Sequence, residues 1–138
     1  MNTEKIKVLQ DYSLTEADLE YFKKLWPNMA MAWKNGDREP YIKAHENSIY
    51  MVPHSQTLSN SADIRSFVEG FPEHKPEFFD FDIRGNQEFV AVSAKFLLND
   101  MDNEFMDKGK FIALFEKTSL GNWNMTHAIW NSDLPLEN

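Results

Sequence analysis

The second half of the chain consists of long runs in which apolar and polar residues alternate, and this feature most constrains the fold. After residue 76 four such runs follow one another: EFFDFDIRG, EFVAVSAKFLLND, EFMDKGKFIALFEKT and NWNMTHAIWN. Alternation with a period of two is typical of β-strands that cover a core with one face. The connections are short, around Gly85-Asn86, NDMDN and Leu120-Gly121-Asn122. We therefore predict a meander of antiparallel strands.

The first half has helical periodicity instead. In SLTEADLEYFKKLWPNMAMAWKNGD, apolar residues recur on one helical face, with Ser13 or Thr15 as N-cap and Gly36 as the stop. Pro27 interrupts the pattern, but the apolar phase continues across it, so we predict one kinked helix.

Asp37 is predicted to cap a short helix through REPYIKAH. NSIYMVPH predicts a strand, and SADIRSFVEGF predicts a third helix capped by Ser61. This order predicts an α+β fold, with N-terminal helices packed on a curved, mostly antiparallel sheet in a single domain over residues 1–138.

Charge and composition narrow the classes of partner. The formal net charge is −8 over 138 residues, there is no cysteine, and no apolar run approaches the length of a membrane span. An acidic surface disfavours nucleic acid and anionic membranes, and the absence of cysteine excludes disulfides and thiolate chemistry. The opening MNTEKIKVLQDYS has no secretory signal pattern. We expect a cytoplasmic protein whose partner is a small molecule or another protein.

Three stretches resemble the NTF2-like superfamily, which includes SnoaL-like polyketide cyclases, ketosteroid isomerases and DUF4440-type domains. They are AWKNGDREPYIKAHENSIYMVP, SNSADIRSFVEGF and DKGKFIALFEKTSLGNWNMTHAIWNSDLP. The resemblance implies a cone-shaped α+β fold, a pocket between helices and sheet, and pairing of subunits through their sheets.

The chain departs from that pattern at two places. The family's usual glycine before the third helix is Asn60 here, which tolerates a positive φ. The catalytic aspartate that ends the first strand of ketosteroid isomerases is absent, since that stretch reads Met51-Val52-Pro53-His54. Isomerase chemistry is therefore not transferred to this chain.

Strict alternation divides the last strand into two faces. The more apolar set is predicted to face inward: Trp123, Met125, His127, Ile129 and Asn131. The outward set is Asn124, Thr126, Ala128 and Trp130. An inward His127 is a candidate general base, because imidazole titrates near neutral pH; the alternative is a histidine whose nitrogens are paired for structural reasons.

Further candidates surround the predicted pocket. His54 follows the first strand near the pocket mouth and is a second candidate catalytic group, or else an ordinary surface histidine. Candidate ligand-binding residues are Trp33, Met51, Phe67, Phe71, Phe96, Phe111, Ile129 and Asn131. The aromatic members can equally fill a core. A cavity of about 300 Å³ or more would favour a ligand site.

Neither a metal nor a cofactor is predicted. His45 and His74 each adjoin a glutamate, but no two histidines stand at i and i+4. The acidic residues between 100 and 107 lack the spacing of an EF-hand loop, so they are interpreted as a solvated hairpin tip.

Two functions follow from these observations. The first is a small-molecule-binding domain for an apolar or aromatic ligand, with cofactor-free acid/base chemistry of the isomerase, cyclase or hydratase kind; it depends on His127 and Asn131 facing inward. The second is a non-catalytic homodimeric association module that pairs through the outer sheet face, with Trp130 as the anchor of the contact.

Overall fold

The computed structural model describes residues 13–135, and its elements follow the predicted order. The helices are α1 (Glu16–Lys34), α2 (Glu39–His45) and α3 (Ser61–Gly70). The strands are β1 (Ile49–Met51), β2 (Lys75–Gly85), β3 (Phe89–Asn99), β4 (Phe105–Lys117) and β5 (Trp123–Ser132). Most of the stretch that bears on the secretory-signal prediction lies outside the described residues.

The five strands form one sheet in the order β1-β5-β4-β3-β2. All neighbours are antiparallel except β1, which pairs parallel to β5. The three helices pack against one face of this sheet, which is not closed, and the main apolar core lies between the two layers. The predicted α+β class with a mostly antiparallel sheet is confirmed. None of the helices within residues 13–135 is long and apolar enough to cross a membrane.

Helix α1 begins at a capping box. The Thr15 side chain accepts a hydrogen bond from the Asp18 amide at 3.1 Å, and the Asp18 carboxylate accepts one from the Thr15 amide at 3.2 Å. The helix continues through Pro27 to Lys34, and Gly36 follows it with φ +84°. The prediction of one helix across Pro27 is confirmed, and its buried face contributes several large residues to the core: Phe22, Trp26, Met29 and Trp33.

The caps of the two shorter helices differ from the prediction. Arg38, not Asp37, is the N-cap residue of α2. Asn60, not Ser61, caps α3 by accepting a hydrogen bond from the Asp63 amide at 2.9 Å. Asn60 has φ −133°, so the expected positive φ is wrong. An extended backbone is what an N-cap requires, since the residue stands outside the helix it caps.

Arg38 also connects the start of α2 to the end of α3. Its guanidinium donates hydrogen bonds to the carbonyls of Val68 at 2.7 Å, Glu69 at 3.2 Å and Phe71 at 2.6 Å. These carbonyls lie at the C-terminus of α3, where helical partners run out. The contact holds α2 and α3 together on the same side of the sheet.

A β-bulge in β5 changes which residues face the core. His127 pairs with Leu114 of β4, but the next pair along the ladder joins Met125 to Phe115, so Thr126 is an extra residue without a partner of its own. An extra residue of this kind reverses the alternation of faces beyond it. The inner face of β5 therefore changes phase at Thr126.

The face prediction for β5 is wrong beyond the bulge. Ala128 is buried and Trp130 packs against the core, whereas His127, Ile129 and Asn131 lie on the outer face. The parallel pairing agrees, because buried Tyr50 lies beside Ala128 while half-exposed Ile49 lies beside His127. This placement corrects two predictions: His127 and Asn131 do not face the pocket, and Trp130 does not lie on the outer face as a dimer contact.

Candidate functional site

A cavity of about 70 Å³ lies between the helices and the inner face of the sheet. Every helix and every strand contributes to its lining, and most of the lining is aromatic or aliphatic. The volume exceeds the ~30 Å³ share of one water molecule, but it is below the ~300 Å³ expected of a site for a drug-sized ligand. Aromatic side chains fill much of the space between the helices and the sheet.

Six rings form a closed circuit around the helical side of the cavity, which we call the aromatic collar. In order around the circuit its members are Trp33, Tyr41, Tyr50, Phe67, Phe71 and His74. Ring centroids of neighbouring members are 4.9 to 6.5 Å apart. These separations are those of favourable edge-to-face and tilted aromatic pairs. The collar brings residues from α1, α2, β1, α3 and the connection between α3 and β2 to one place.

Two collar tyrosines form a hydroxyl pair. The oxygens of Tyr41 and Tyr50 are 2.6 Å apart, and either group can donate the hydrogen bond. Burial raises the pKa of Tyr41 to about 12 and raises the pKa of Tyr50 well above its ordinary value. The Tyr41 hydroxyl raises the pKa of Tyr50 further, while a hydrogen bond from Trp130 opposes this shift. Both phenols are neutral at physiological pH and can donate hydrogen bonds.

His45 lies directly against this pair. Its ring stacks on Tyr41 with 4.0 Å between centroids, and its Nδ1 is 2.7 Å from the Tyr41 carbonyl. A carbonyl can only accept, so Nδ1 carries the proton and Nε2 keeps its lone pair. Burial lowers the pKa of His45 to about 4. The imidazole is therefore neutral above that pH.

His74 has the same arrangement on the other side of Trp33. Its Nδ1 is 2.8 Å from the Pro72 carbonyl, which again leaves Nε2 with a lone pair. Burial lowers the pKa of His74, and the nearby positive charge of Arg38 lowers it further. The cavity wall thus contains two neutral imidazoles of the same tautomer, both among the lining residues.

Trp33 stands between these groups with its own polar atom unpaired. The indole is 8% exposed, and its Nε1 is buried with no hydrogen-bond partner. The guanidinium carbon of Arg38 lies 4.4 Å from the ring centre, a cation–π contact. That contact uses the ring face and leaves the N–H without an acceptor.

The predicted site residues divide into two groups in space. The first group lines the cavity, as a ligand-binding role requires, and consists of Trp33, Phe67, Phe71, Phe96 and Phe111. The role itself stays a prediction. Trp130, predicted as an outer dimer contact, also lines the cavity and packs edge-on against Phe71 and Phe96 at 6.0 and 5.6 Å.

The remaining predicted residues lie away from the interior. His127 is on the outer face, where its Nδ1 is 3.0 Å from the Thr126 hydroxyl. His54 is exposed in the loop after β1 with φ +58°. Asn131 is exposed, Met51 pairs with Ile129 on the outer face, and Ile129 touches the cavity although 42% of it is exposed. The hypothesis that rested on inward His127 and Asn131 is therefore wrong in that form.

Sequence reasoning missed the polar groups that the cavity does contain. Tyr41 and His45 stand at i and i+4, with buried Ile42 on the same short helix, and this spacing places them on one helical face. That spacing was the available signal. Tyr50 and His74 carried no comparable pattern. Within residues 13–135, no group of three or more His, Asp or Glu side chains is placed to hold a metal ion.

Comparisons with known proteins agree on the fold. No protein-family model and no curated protein matches the sequence. A protein of unknown function with a cystatin-like fold from Nostoc punctiforme superimposes with a TM-score of 0.77 at 13% identity, covering 90% of this chain and 97% of that one. An NTF2-like protein from Cytophaga hutchinsonii gives 0.64 at 17% identity, covering 86% and 99%.

A third similar structure contains a bound molecule. It is a protein from Catenulispora acidiphila in complex with S-DNPA, with a TM-score of 0.67 at 13% identity over 86% of this chain and 96% of that one. At these identities the likeness concerns the fold alone. The order of elements, the mixed five-stranded sheet and these neighbours together show that the chain has the NTF2-like, cystatin-like α+β fold.

Proposed function

We propose that the protein is a SnoaL-like or DUF4440-type member of this fold that binds a small, largely apolar molecule in the cavity and transfers a proton on it without a cofactor. The observation that carries this proposal is the pairing, in one apolar cavity, of neutral imidazoles with a hydroxyl pair. His45 and His74 each have Nδ1 held by a carbonyl, which leaves Nε2 as the basic atom. The bound molecule in the structurally similar Catenulispora protein supports a binding role.

The two histidines differ in their fitness as bases. A general base works best when its pKa lies near the working pH. The pKa of His45 is lowered to about 4 under complete burial, so its Nε2 is a weak base and a good hydrogen-bond acceptor. His74 is less deeply buried, and its pKa is lowered by burial and by Arg38. We therefore assign His74 the role of base and the Tyr41–Tyr50 pair the role of acid.

The size of the cavity restricts the substrate. A volume of about 70 Å³ accommodates a few non-hydrogen atoms without rearrangement. A larger substrate requires movement of lining side chains that are only partly buried, such as Phe67, Phe71 and Trp130. This geometry favours compact rings over extended chains.

The proposal is tested by binding followed by proton exchange. Small cyclic ketones, phenols and alkylbenzenes are screened by ligand-observed NMR, and each binder is incubated with the protein in D₂O. We expect accelerated incorporation of deuterium into a binder, read by mass spectrometry, and loss of that acceleration in His74→Leu. His127→Leu, on the outer face, is the matched control and should behave as wild type. Binding without any exchange would remove the catalytic part, and no binding would remove the whole proposal.

A second candidate function is association of two copies through the outer face of the sheet. Ile112 and Ile129 pair across β4 and β5 with 41% and 42% exposure, and Ile49 at 41% lies nearby on β1. A groove of about 430 Å³ is lined in part by Ile112 and Ile129. An apolar row on an open sheet face is typical of a protein contact. Trp130 touches this groove as well as the cavity, but its ring packs on the cavity side against Phe71 and Phe96.

Sedimentation of wild type and Ile112→Lys tests this second candidate. We expect a dimer at micromolar concentration for wild type and a monomer for the variant. A monomeric wild type under these conditions would exclude association through this face as a stable state.

A further inference from the structure

The unpaired N–H of Trp33 indicates what kind of ligand the cavity binds. Buried polar groups are nearly always hydrogen-bonded, and an exception needs a physical explanation. Among the described side chains that do not lie at the surface, Trp33 Nε1 is the buried atom without a partner. Trp33 is also one of the residues that line the cavity. A missing acceptor at a cavity wall is explained most directly by a ligand that supplies it.

The neighbours of Trp33 do not provide that acceptor. Tyr41 and His74 contact the indole as rings, with centroids 5.5 and 4.9 Å away. The His74 Nδ1 donates to the Pro72 carbonyl and the Tyr41 hydroxyl pairs with Tyr50, and neither that hydroxyl nor the free Nε2 of His74 is hydrogen-bonded to Trp33 Nε1. Arg38 is a donor and carries no acceptor. The indole proton is thus surrounded by rings and by a cation.

The same surroundings decide the charge of the acceptor. Arg38 contacts the Trp33 ring, and its Nη1 donates to the carbonyls of Val68, Glu69 and Phe71, but no Lys or Arg is among the residues that line the cavity. The other polar groups of the collar are neutral phenols and a neutral imidazole. A carboxylate in this cavity would be buried with no cationic side chain in the cavity wall to pair with it, which is costly. A neutral oxygen, such as that of a ketone or aldehyde, meets no such penalty.

We propose that the ligand of this cavity is a small neutral carbonyl compound whose oxygen accepts a hydrogen bond from Trp33 Nε1. This inference rests on the proposed function and adds the chemical class of the ligand and the residue that selects it. Sites that hydrogen-bond a ligand group discriminate against analogues that lack the group, because the protein's polar atom is then left unpaired. Trp33 is accordingly a specificity-determining residue.

The test compares cyclopentanone with methylenecyclopentane, which have nearly the same shape and differ by C=O against C=CH₂. Binding is followed in the indole N–H region of the ¹H–¹⁵N spectrum of the full chain. Four tryptophans contribute signals there: Trp26, Trp33, Trp123 and Trp130. The signal lost in Trp33→Phe assigns Trp33. We expect cyclopentanone, and not the alkene, to move the Trp33 N–H proton downfield.

Affinities complete the test. For each protein, wild type and Trp33→Phe, we take the ratio of the dissociation constants of cyclopentanone and methylenecyclopentane. The two ligands differ in hydration by the same amount in both measurements, so this difference largely cancels when the two ratios are compared. We expect cyclopentanone to lose at least about fivefold in affinity relative to the alkene on removal of the N–H. Should Trp33→Phe fail to fold, the Trp33 signal of wild type is assigned from nuclear Overhauser contacts with the neighbouring rings of Tyr41 and His74, and its downfield shift decides the matter.

The possible failures are distinguishable. If both ligands bind and perturb the spectrum equally, with no downfield shift of Trp33, this inference is overturned while the binding function stands. If neither ligand perturbs any indole signal, this inference is overturned, and the wider ligand screen described for the proposed function decides separately whether the cavity binds other small apolar molecules.

Discussion

Replacement of Trp130 by alanine, compared with replacement of its neighbour Ile129, tests the bulge that defines the inner face of β5. Trp130 packs edge-on against Phe71 and Phe96. Truncation of a buried Trp or Phe costs about 3–5 kcal/mol of unfolding free energy. Trp130 is only partly buried, so we expect a value near the lower end, about 3 kcal/mol.

Ile129 provides the matched control because it occupies the same strand one residue away. It is 42% exposed and its partner Ile112 is 41% exposed. Full burial of an isoleucine side chain is worth about 1.5–3 kcal/mol, so Ile129→Ala should cost about 1 kcal/mol. Urea unfolding followed by far-UV circular dichroism measures both values. If Ile129→Ala costs as much as Trp130→Ala, the alternation is unbroken and the bulge at Thr126 is refuted.

Three further predictions concern stability. The pKa of His45 is about 4 in the folded protein and about 6.5 in the unfolded chain, so the unfolded chain binds the proton first as the pH falls. The free energy of unfolding should therefore decrease between pH 6.5 and 4, by up to about 3 kcal/mol, and His45→Phe should flatten that decrease in unfolding titrations. A side-chain hydrogen bond with Gln87 is the main cause that lowers the pKa of Asp18 to about 2, so the Asp18 carboxylate stabilises the fold above pH 4 and loses this effect towards pH 2. Because Asp18 is close to solvent, which weakens the interaction, Asp18→Asn should lower the free energy of unfolding by only about 1 kcal/mol at neutral pH and by little at pH 2. Gly109→Ala would place a methyl group 2.6 Å from the Phe96 ring and still closer to the Asn131 carbonyl oxygen, so thermal unfolding should show that the free energy of unfolding falls by roughly 3 kcal/mol or more. Gly70→Ala is the control: its added methyl group meets open space, so this variant should be as stable as wild type or slightly more stable.

The elements of this fold could be predicted because local patterns determine them. The alternation in β2 to β5 and the apolar face of α1 survive in the structure, and the predicted ends of these four strands differ from the observed ones by at most two residues. The caps were less predictable. Asn60 and Ser61 are both good N-cap residues, and the choice between them depends on where the chain enters α3, which is a tertiary constraint.

The inner face of β5 could not be predicted from β5 alone. Alternation assumes that every residue has one partner, and Thr126 breaks that assumption. Comparison with β4 would have revealed it, since Phe111, Ala113 and Phe115 are evenly spaced and all buried, and they pair with residues 130, 128 and 125. The inward residues of β5 are therefore spaced by two and then by three. The information was present in the pair of strands and absent from either strand separately.

The site was unpredictable for a related reason, since its groups are combined only by the fold. The collar joins α1, α2, β1, α3 and the connection that follows α3, and no motif in the sequence marks that combination. Its electrostatics are consistent once the fold is known: burial lowers the pKa of His45 and His74 and raises the pKa of Tyr41 and Tyr50. The lowered pKa values keep the histidines neutral at physiological pH and the raised pKa values keep the tyrosines neutral, because desolvation disfavours the charged form of either group. The interior is thus uncharged in a chain with a formal net charge of −8, and a neutral ligand is the one that enters it without losing the hydration of an unpaired charge.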